Sequence, residues 1–230
     1  MKKSKFWLMI FSLISASIGC ASASFTGFYA GGSLGAAMLQ GTHQYTNGTS
    51  APAGKQKVNA LGYLVAANLG YIRQMGDSKL VLGGEAFGGM VSPSAKKDLQ
   101  MPNGSIEGTV NIRHKMFMGA AVIVGAVMNP KVMVYGKLAY EMNKFELQYK
   151  SLTYGTVTSE KFTKSVRGIV PSLGALYKVS NSLLVGGEYS YSLIGKLDPR
   201  KDKTVINGAQ RGYSYSPVEH RIVAKVAYLF

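Results

Sequence analysis

The end of this chain alternates strictly between two kinds of side chain. Counting back in twos from the last residue gives only apolar positions: Phe230, Tyr228, Val226, Ala224 and Ile222. The intervening positions carry charges at Lys225, Arg221 and Glu219. Side chains of a β-strand point alternately to two faces, and three charges on an inner face are costly to bury in a soluble core. The alternation therefore predicts a barrel strand with lipid outside and a polar lumen inside.

The N-terminus has the three parts of a secretory signal peptide. Lysines at positions 2, 3 and 5 precede an apolar run over 6–18, and Ala21-Ser22-Ala23 supplies small residues for cleavage. We predict a signal peptide over 1–23 and one outer-membrane barrel domain over 24–230. Lipidation of Cys20 after Gly19 is the alternative. With ordinary cleavage the mature chain holds no cysteine, because the sequence has only this one.

Composition restricts how the mature chain can meet a membrane. It contains no other apolar segment approaching 18 residues without charges or glycines, so any crossing must use strands. The formal net charge of +15 becomes +12 once the three N-terminal lysines are removed. Such a basic, exported chain is expected to attract lipopolysaccharide or sulfated host glycans and not nucleic acid.

Turn signals and alternation divide the mature chain into eight strand segments. These are predicted at 25–38, 58–72, 79–91, 109–127, 132–147, 162–178, 183–196 and 213–230. Short turns are predicted at 74–78, 128–131 and 179–182, and long loops at 39–57, 92–108, 148–161 and 197–212. Regular alternation of tight turns with long polar loops is typical of outer-membrane barrels. The predicted fold is therefore all-β: an eight-stranded antiparallel up-and-down transmembrane β-barrel. In the sixth segment, Pro171 lacks a ladder donor and predicts a bulge or bend.

Within the first segment, the stretch from Phe25 to Gly35 resembles the opening strand of small alphaproteobacterial surface barrels. That group includes surface antigens and hemin-binding outer-membrane proteins, and it is similar in architecture to the barrel domain of outer-membrane protein A and to opacity proteins. The terminal aromatic residue resembles the assembly signal of such barrels. The resemblance implies that the barrel-assembly machinery recognises three terminal residues, Val226, Tyr228 and Phe230. It also implies His43 or Tyr45 as iron ligands if hemin binds.

Carrying the alternation through all segments places ten charged side chains in the lumen. The acids are Glu85, Glu141, Glu188 and Glu219, and the bases are Arg113, Lys115, Lys137, Arg167, Arg221 and Lys225. An eight-stranded barrel is barely wider inside than its side chains. We therefore expect an ion-pair network that closes the lumen. The alternative is a narrow, porin-like pore whose charges select ions.

The sequence offers no constellation for catalysis. His114 and His220 fall near the outer ends of the fourth and eighth segments, which lie on opposite sides of an eight-membered ring, so the two cannot share one active site. Both are interpreted as polar residues at the membrane interface. No HExxH, GxSxG or paired-cysteine spacing occurs. We predict neither an enzyme nor a metal site, and no cofactor.

The predicted loops carry a basic rim, which comprises Lys55, Lys57, Arg200, Lys201 and Lys203. These charges are expected to contact lipopolysaccharide phosphates or another anionic ligand. The leading hypothesis is a structural and interaction protein of the Gram-negative outer membrane, with its loops on the cell surface. The alternatives are the narrow pore and a hemin-binding surface protein.

Overall fold

Eight antiparallel strands close into a barrel in the computed structural model, which describes residues 25–47, 54–76, 78–100, 106–153, 156–195, 205–206 and 209–230. The strands are β1 (Gly27–Asn47), β2 (Gly54–Gln74), β3 (Leu80–Val91), β4 (Ser94–Gln100), β5 (Ile106–Asn129), β6 (Val132–Thr153), β7 (Thr156–Lys178), β8 (Leu183–Ile194), β9 (Val205–Ile206) and β10 (Ala209–Leu229). Eight of these ten strands form the ring in the order β1-β2-β3-β5-β6-β7-β8-β10, each paired with the next, and β1 pairs with β10 to close it. β4 pairs with β5 beyond the end of β3, and β9 pairs with β10. The predicted fold class is confirmed. Within the described ranges, no helix is long and apolar enough to cross a membrane.

The two faces that the sequence pattern predicts are the outer and inner faces of the barrel wall. On β10, Ile222 is 67% exposed and Val226 is 53% exposed, whereas the residues that follow each of them, Val223 and Ala227, are buried. On β2, Leu61 is 75% exposed and Leu64, three positions later, is buried. Bulky apolar side chains on the outside and packed side chains on the inside are the arrangement that a lipid environment stabilises.

The strands extend further than predicted at one end of the barrel. Short turns join the strands at the opposite end, as at Pro130–Lys131 between β5 and β6; we call this the short-turn end and the other the hairpin end. At the hairpin end β1 continues to Asn47, and β6 pairs with β7 up to Thr153 opposite Thr156. The predicted extents of the long loops were therefore wrong. Backbone pairing needs no apolar side chains, so polar strands can continue beyond the lipid.

A register shift between His114 and Met116 reverses the faces of β5. An extra residue in one strand makes the next side chain point to the opposite side. After the shift, toward the short-turn end, the buried residues are odd-numbered, such as Phe117. Before it, toward the hairpin end, they are even-numbered, such as Ile112 and His114. The interior placement predicted for Arg113 and Lys115 was therefore wrong, since both are exposed.

Strand β7 has no register shift at its proline. Leu138 of β6 pairs with Pro171 in an unbroken register. On the other side, pairing with β8 stops after Ile169 and resumes in the same register at Ser172, so the proline interrupts this ladder without a bulge. The small residues Gly168 and Ser172 face inward, and Arg167 is exposed. Its interior placement was wrong because the even-numbered positions of this strand, and not the odd-numbered ones, face the lumen.

Side chains fill the lumen in layers that alternate between apolar and charged. The inward positions of β6, read from the short-turn end, show the order: Met133, Tyr135, Lys137, Ala139, Glu141, Asn143, Phe145 and Leu147. Met133 and Tyr135 belong to an apolar cluster at the short-turn end. Phe145 and Leu147 belong to another at the hairpin end. The charged layers therefore lie between apolar ones.

Candidate functional site in the barrel lumen

Two carboxylates and two ammonium groups alternate around a square in the layer nearer the short-turn end. We call Glu85, Lys137, Glu188 and Lys225 the lower network. Lys137 Nζ lies 3.0 Å from Glu85 Oε1 and 2.6 Å from Glu188 Oε1. Lys225 Nζ lies 3.2 Å from Glu85 Oε2 and 3.0 Å from Glu188 Oε2. Every oxygen has an ammonium partner and the formal charges cancel, as burial of ions requires.

Two tyrosines on the short-turn side of this square form hydrogen bonds with its carboxylates. Tyr29 donates a 2.8 Å hydrogen bond to Glu85, and Tyr135 donates one of 2.8 Å to Glu188. Each ring lies across a glycine on the neighbouring strand: a Cβ on Gly70 would come within 2.5 Å of Tyr29, and one on Gly174 within 2.5 Å of Tyr135. Glycine at these two positions therefore leaves the space that each tyrosine ring occupies.

A second cluster, the upper network, lies nearer the hairpin end. It consists of Glu141, Glu219, Arg221 and His114, with Asn143 beside them. The Arg221 guanidinium binds Glu141 through two parallel bonds of 2.6 and 2.8 Å and donates through Nε to Glu219 at 2.5 Å. This fork-to-carboxylate geometry is the strongest form of side-chain ion pairing.

Strand pairing alone cannot bring His114 and Glu219 together, because β5 and β10 are not neighbours in the ring. Across the lumen, His114 Nδ1 lies 2.7 Å from Glu219 Oε2. A carboxylate only accepts, so Nδ1 is the donor. The imidazole stacks on Phe145 with ring centres 4.5 Å apart. The prediction that His114 lies at the membrane interface was wrong, because the register shift in β5 turns it inward.

Little free volume remains between the two networks. A cavity of about 40 Å³ is lined by members of both, including Glu85, Lys137, Glu141 and Arg221. A second, of about 20 Å³, lies below Lys225. Volumes of this size match one or two water molecules and not a continuous channel.

The structure brings seven of the ten predicted lumen charges together. These are Glu85, Lys137, Glu141, Glu188, Glu219, Arg221 and Lys225, all of them buried. The other three bases lie on the outer wall, as described above. The roles of His114 and Tyr29 as interior hydrogen-bond donors were not predicted. Finding them from sequence would have required knowledge of the bulge and of which glycine lies opposite which tyrosine.

The predicted ligand-binding residues are described only in part. Lys57 is exposed on β2, and Lys55, His43 and Tyr45 lie in β1 and β2, not in a loop; the structure does not describe the side chains of these three. Three further members of the basic rim lie outside the described residues: Arg200, Lys201 and Lys203. The predicted signal peptide, with Cys20, also lies outside them. Among the side chains that are described, no cluster of His, Cys, Asp or Glu could hold a metal ion.

A family model for the outer membrane protein beta-barrel domain matches residues 7–216 of the chain. The chain belongs to this family. It is accordingly an outer-membrane protein, with its hairpin end on the cell surface and its short turns in the periplasm. A comparison with curated proteins finds no match.

The chain is similar to several solved structures. The outer membrane protease OmpT from Escherichia coli has a TM-score of 0.53 and 9% identity, covering 91% of this chain and 99% of that chain. Neisserial surface protein A has a TM-score of 0.44 and 15% identity, covering 92% and 100%. OprG from Pseudomonas aeruginosa has a TM-score of 0.49 and 13% identity, covering 89% and 96%. At these identities the likeness concerns the fold alone.

His220, the second histidine whose side chain is described in this outer-membrane barrel, lies on the lipid side of the wall. His220 Nδ1 is 2.7 Å from the Tyr189 hydroxyl, and its ring contacts Tyr191 with centres 5.0 Å apart. This agrees with its interpretation as an interfacial residue. Because His114 points into the lumen and His220 points out of it, the two contribute to no common site.

Proposed function

We propose that this outer-membrane protein is a sealed barrel with a structural and interaction role, which presents its hairpin end to anionic partners. The observation that supports the sealed state is the layered lumen. Two ion networks lie between apolar clusters, and the cavity between them measures only about 40 Å³. A hydrated ion passing through would have to break the Arg221–Glu141 pair, and breaking a buried pair costs roughly 3 to 5 kcal/mol.

Planar-bilayer recording tests the sealed state directly. The refolded mature chain should show no unitary conductance steps, with a large porin in the same bilayer as the positive control. Regular steps whose ion selectivity changes when Glu141 is replaced by Gln would support the pore instead and overturn the sealed-barrel proposal.

The proposed anionic partners are lipopolysaccharide and sulfated host glycans, bound through the basic rim. Exposed charges act over roughly 8 Å at physiological ionic strength, so retention on heparin should decrease steeply with salt and depend on the cluster. The test variant changes all five rim residues to Ser. Elution of this variant at the wild-type salt concentration would mean that the rim is solvated surface only.

The proposed role is non-enzymatic, and hemin binding is the alternative proposal that the family resemblance supports. Its candidate ligands, His43 and Tyr45, are two positions apart on β1, opposite Gln56 and Gly54 of β2. An absorbance titration with hemin should distinguish His43→Ala from a matched neighbour, Gln44→Ala. Loss of the spectral shift in the His43 variant alone would favour hemin, and equal spectra would reject these ligands.

A further inference from the structure

Three bases that were predicted to face the lumen lie close together on the outer wall instead. Arg113 is on β5, Lys115 is the extra residue of the β5 register shift, and Arg167 is on β7. Between them β6 presents Lys144, which is exposed. Lys161 of β7 is 60% exposed. We call these five residues the basic wall; they occupy three adjacent strands.

Strand register keeps the basic wall compact. Lys144 pairs with Met116 of β5 on one side and with Ser165 of β7 on the other. Arg113 pairs with Glu146, two residues beyond Lys144 on β6, and Arg167 pairs with Met142, two residues before it. Same-face neighbours two residues apart on adjacent strands are within reach of long side chains. Arg113, Lys144 and Arg167 can therefore act on one ligand, with Lys115 between Arg113 and Met116 on β5. Lys161 lies opposite Gln148, four positions beyond Lys144 on β6.

A single carboxylate organises two of these cations. Glu146 Oε2 lies 2.6 Å from Lys115 Nζ and 3.2 Å from Lys161 Nζ. The hydrogen bond from Lys115 lowers the pKa of the Glu146 carboxyl, so this group is ionised at neutral pH. Five cations and one carboxylate leave four formal positive charges among the described side chains of the basic wall. Nothing described on the protein neutralises this excess.

The basic wall begins where the lipid-facing surface ends. Next to it on the same outer faces lie Met118, Met142 and Ile169, which are 44%, 42% and 52% exposed, and Tyr140, which is 56% exposed. Tyrosine at the edge of an apolar band marks the membrane interface. Because the hairpin end faces outward, the cations are at the level of the headgroups of the outer leaflet.

We infer that the basic wall binds the phosphate groups of lipid A, the phosphorylated glycolipid that anchors lipopolysaccharide, with its acyl chains lying against Met118, Met142 and Ile169. Lipid A combines anionic phosphates and several acyl chains in one molecule, which matches cations immediately above an apolar surface. Arginine and lysine are the side chains that suit phosphate. The inference rests on the proposed interaction role, but it assigns the contact to the barrel wall and not to the rim.

Binding of purified lipid A to the refolded mature chain in detergent, measured by native mass spectrometry, tests this site. The wall variant combines Lys144→Gln, Lys161→Gln and Arg167→Gln. The matched control removes three exposed cations at the short-turn end, through Arg73→Gln, Lys79→Gln and Lys131→Gln. Each charge near a lipid surface changes affinity about fivefold, so the wall variant should bind on the order of a hundredfold more weakly. The control should bind as the wild type does.

Two further ligands distinguish binding of the phosphate groups from binding of lipid in general. Dephosphorylated lipid A should bind the wild type and the wall variant equally, and phosphatidylglycerol should bind both more weakly than lipid A binds the wild type. Equal lipid A binding by all three proteins would overturn the inference, as would equal losses in the wall variant and the control. If the wall variant refolds poorly, Lys144→Gln alone should still weaken binding about fivefold.

The result is separable from the test of the sealed barrel. Ion conductance would overturn the sealed lumen but would not alter lipid A binding at the outer wall. Loss of binding in the five-residue rim variant, with none in the wall variant, would support the rim and overturn the basic wall.

Discussion

Replacing Arg221 with Met removes the one guanidinium of the upper network while keeping a long apolar stem. Glu141 then loses both of its 2.6 and 2.8 Å bonds, and Glu219 keeps only His114. Two carboxylates remain buried without their cation. Removing one partner of a buried pair destabilises a fold by roughly 3 to 5 kcal/mol, and we expect Arg221→Met to lie in this range.

Glu141→Gln should cost less, although it alters the same pair. Arg221 still has Glu219 as its partner through Nε, so no charge is left unpaired. The loss is that of two charge-assisted bonds partly replaced by an amide, about 1.5 to 3 kcal/mol. The double variant should cost less than the two single variants added together, because contacting residues couple by about 0.5 to 3 kcal/mol.

Urea unfolding in lipid vesicles, followed by far-ultraviolet circular dichroism, measures the free energy of unfolding of the wild type, the two single variants and the double variant. Arg73→Met is the matched control, since Arg73 is exposed near the short turns and surface substitutions usually stay within about 0.5 kcal/mol. If Arg221→Met is no more costly than Arg73→Met, or if Glu141→Gln costs more than Arg221→Met, the assignment of charges within the upper network is wrong.

Two further predictions concern the wall. Deleting Tyr228 to Phe230 removes the end of the strand that closes onto β1 together with the predicted assembly signal, so the variant should accumulate in the periplasm and be degraded; an unchanged amount of protease-resistant protein in outer-membrane fractions would contradict this. Gly174→Ala places a methyl group against a tyrosine ring and should lower the unfolding free energy by about 1 to 3 kcal/mol. Gly187→Ala, where the added Cβ meets only an ordinary 3.6 Å contact, should change it little.

Alternation was sufficient to predict the barrel and its inward acids. Lys225 and Glu219 differ in position by an even number along one strand without a bulge, so their common face follows directly from the sequence. The family model and the closed ring agree with that prediction. The ion-pair partners were harder to predict from the sequence, because Lys137 and Glu188 come from strands whose side chains meet only across the lumen.

The mispredicted residues have local physical causes. No sequence signal indicated the extra residue at Lys115, because a β-bulge can reverse the faces of a strand without a glycine or proline. At Pro171 the prediction was right in part: the pairing with β8 is interrupted there, but the register does not change and no bulge forms. The extents of the loops were mispredicted because polar strands and polar loops have similar composition. Only cross-strand pairing distinguishes them.

The pairing of β6 with β7 far beyond the lipid makes this hairpin a stiff arm. From Lys144 to Thr153 the strand continues for nine residues, which corresponds to about 30 Å along its axis at about 3.3 Å per residue. If Lys144 lies at the headgroup level, as inferred above, and the strand has the tilt of roughly 35 to 45° usual for such barrels, the tip of the hairpin stands more than about 20 Å above the headgroups. A peptide inserted between Thr153 and Thr156 would be carried beyond the inner sugars of the cell envelope, where antibodies can reach it on intact bacteria. We therefore expect an epitope inserted at this tip to be labelled by antibodies on intact cells, whereas one inserted at the Asn129–Lys131 turn should not be.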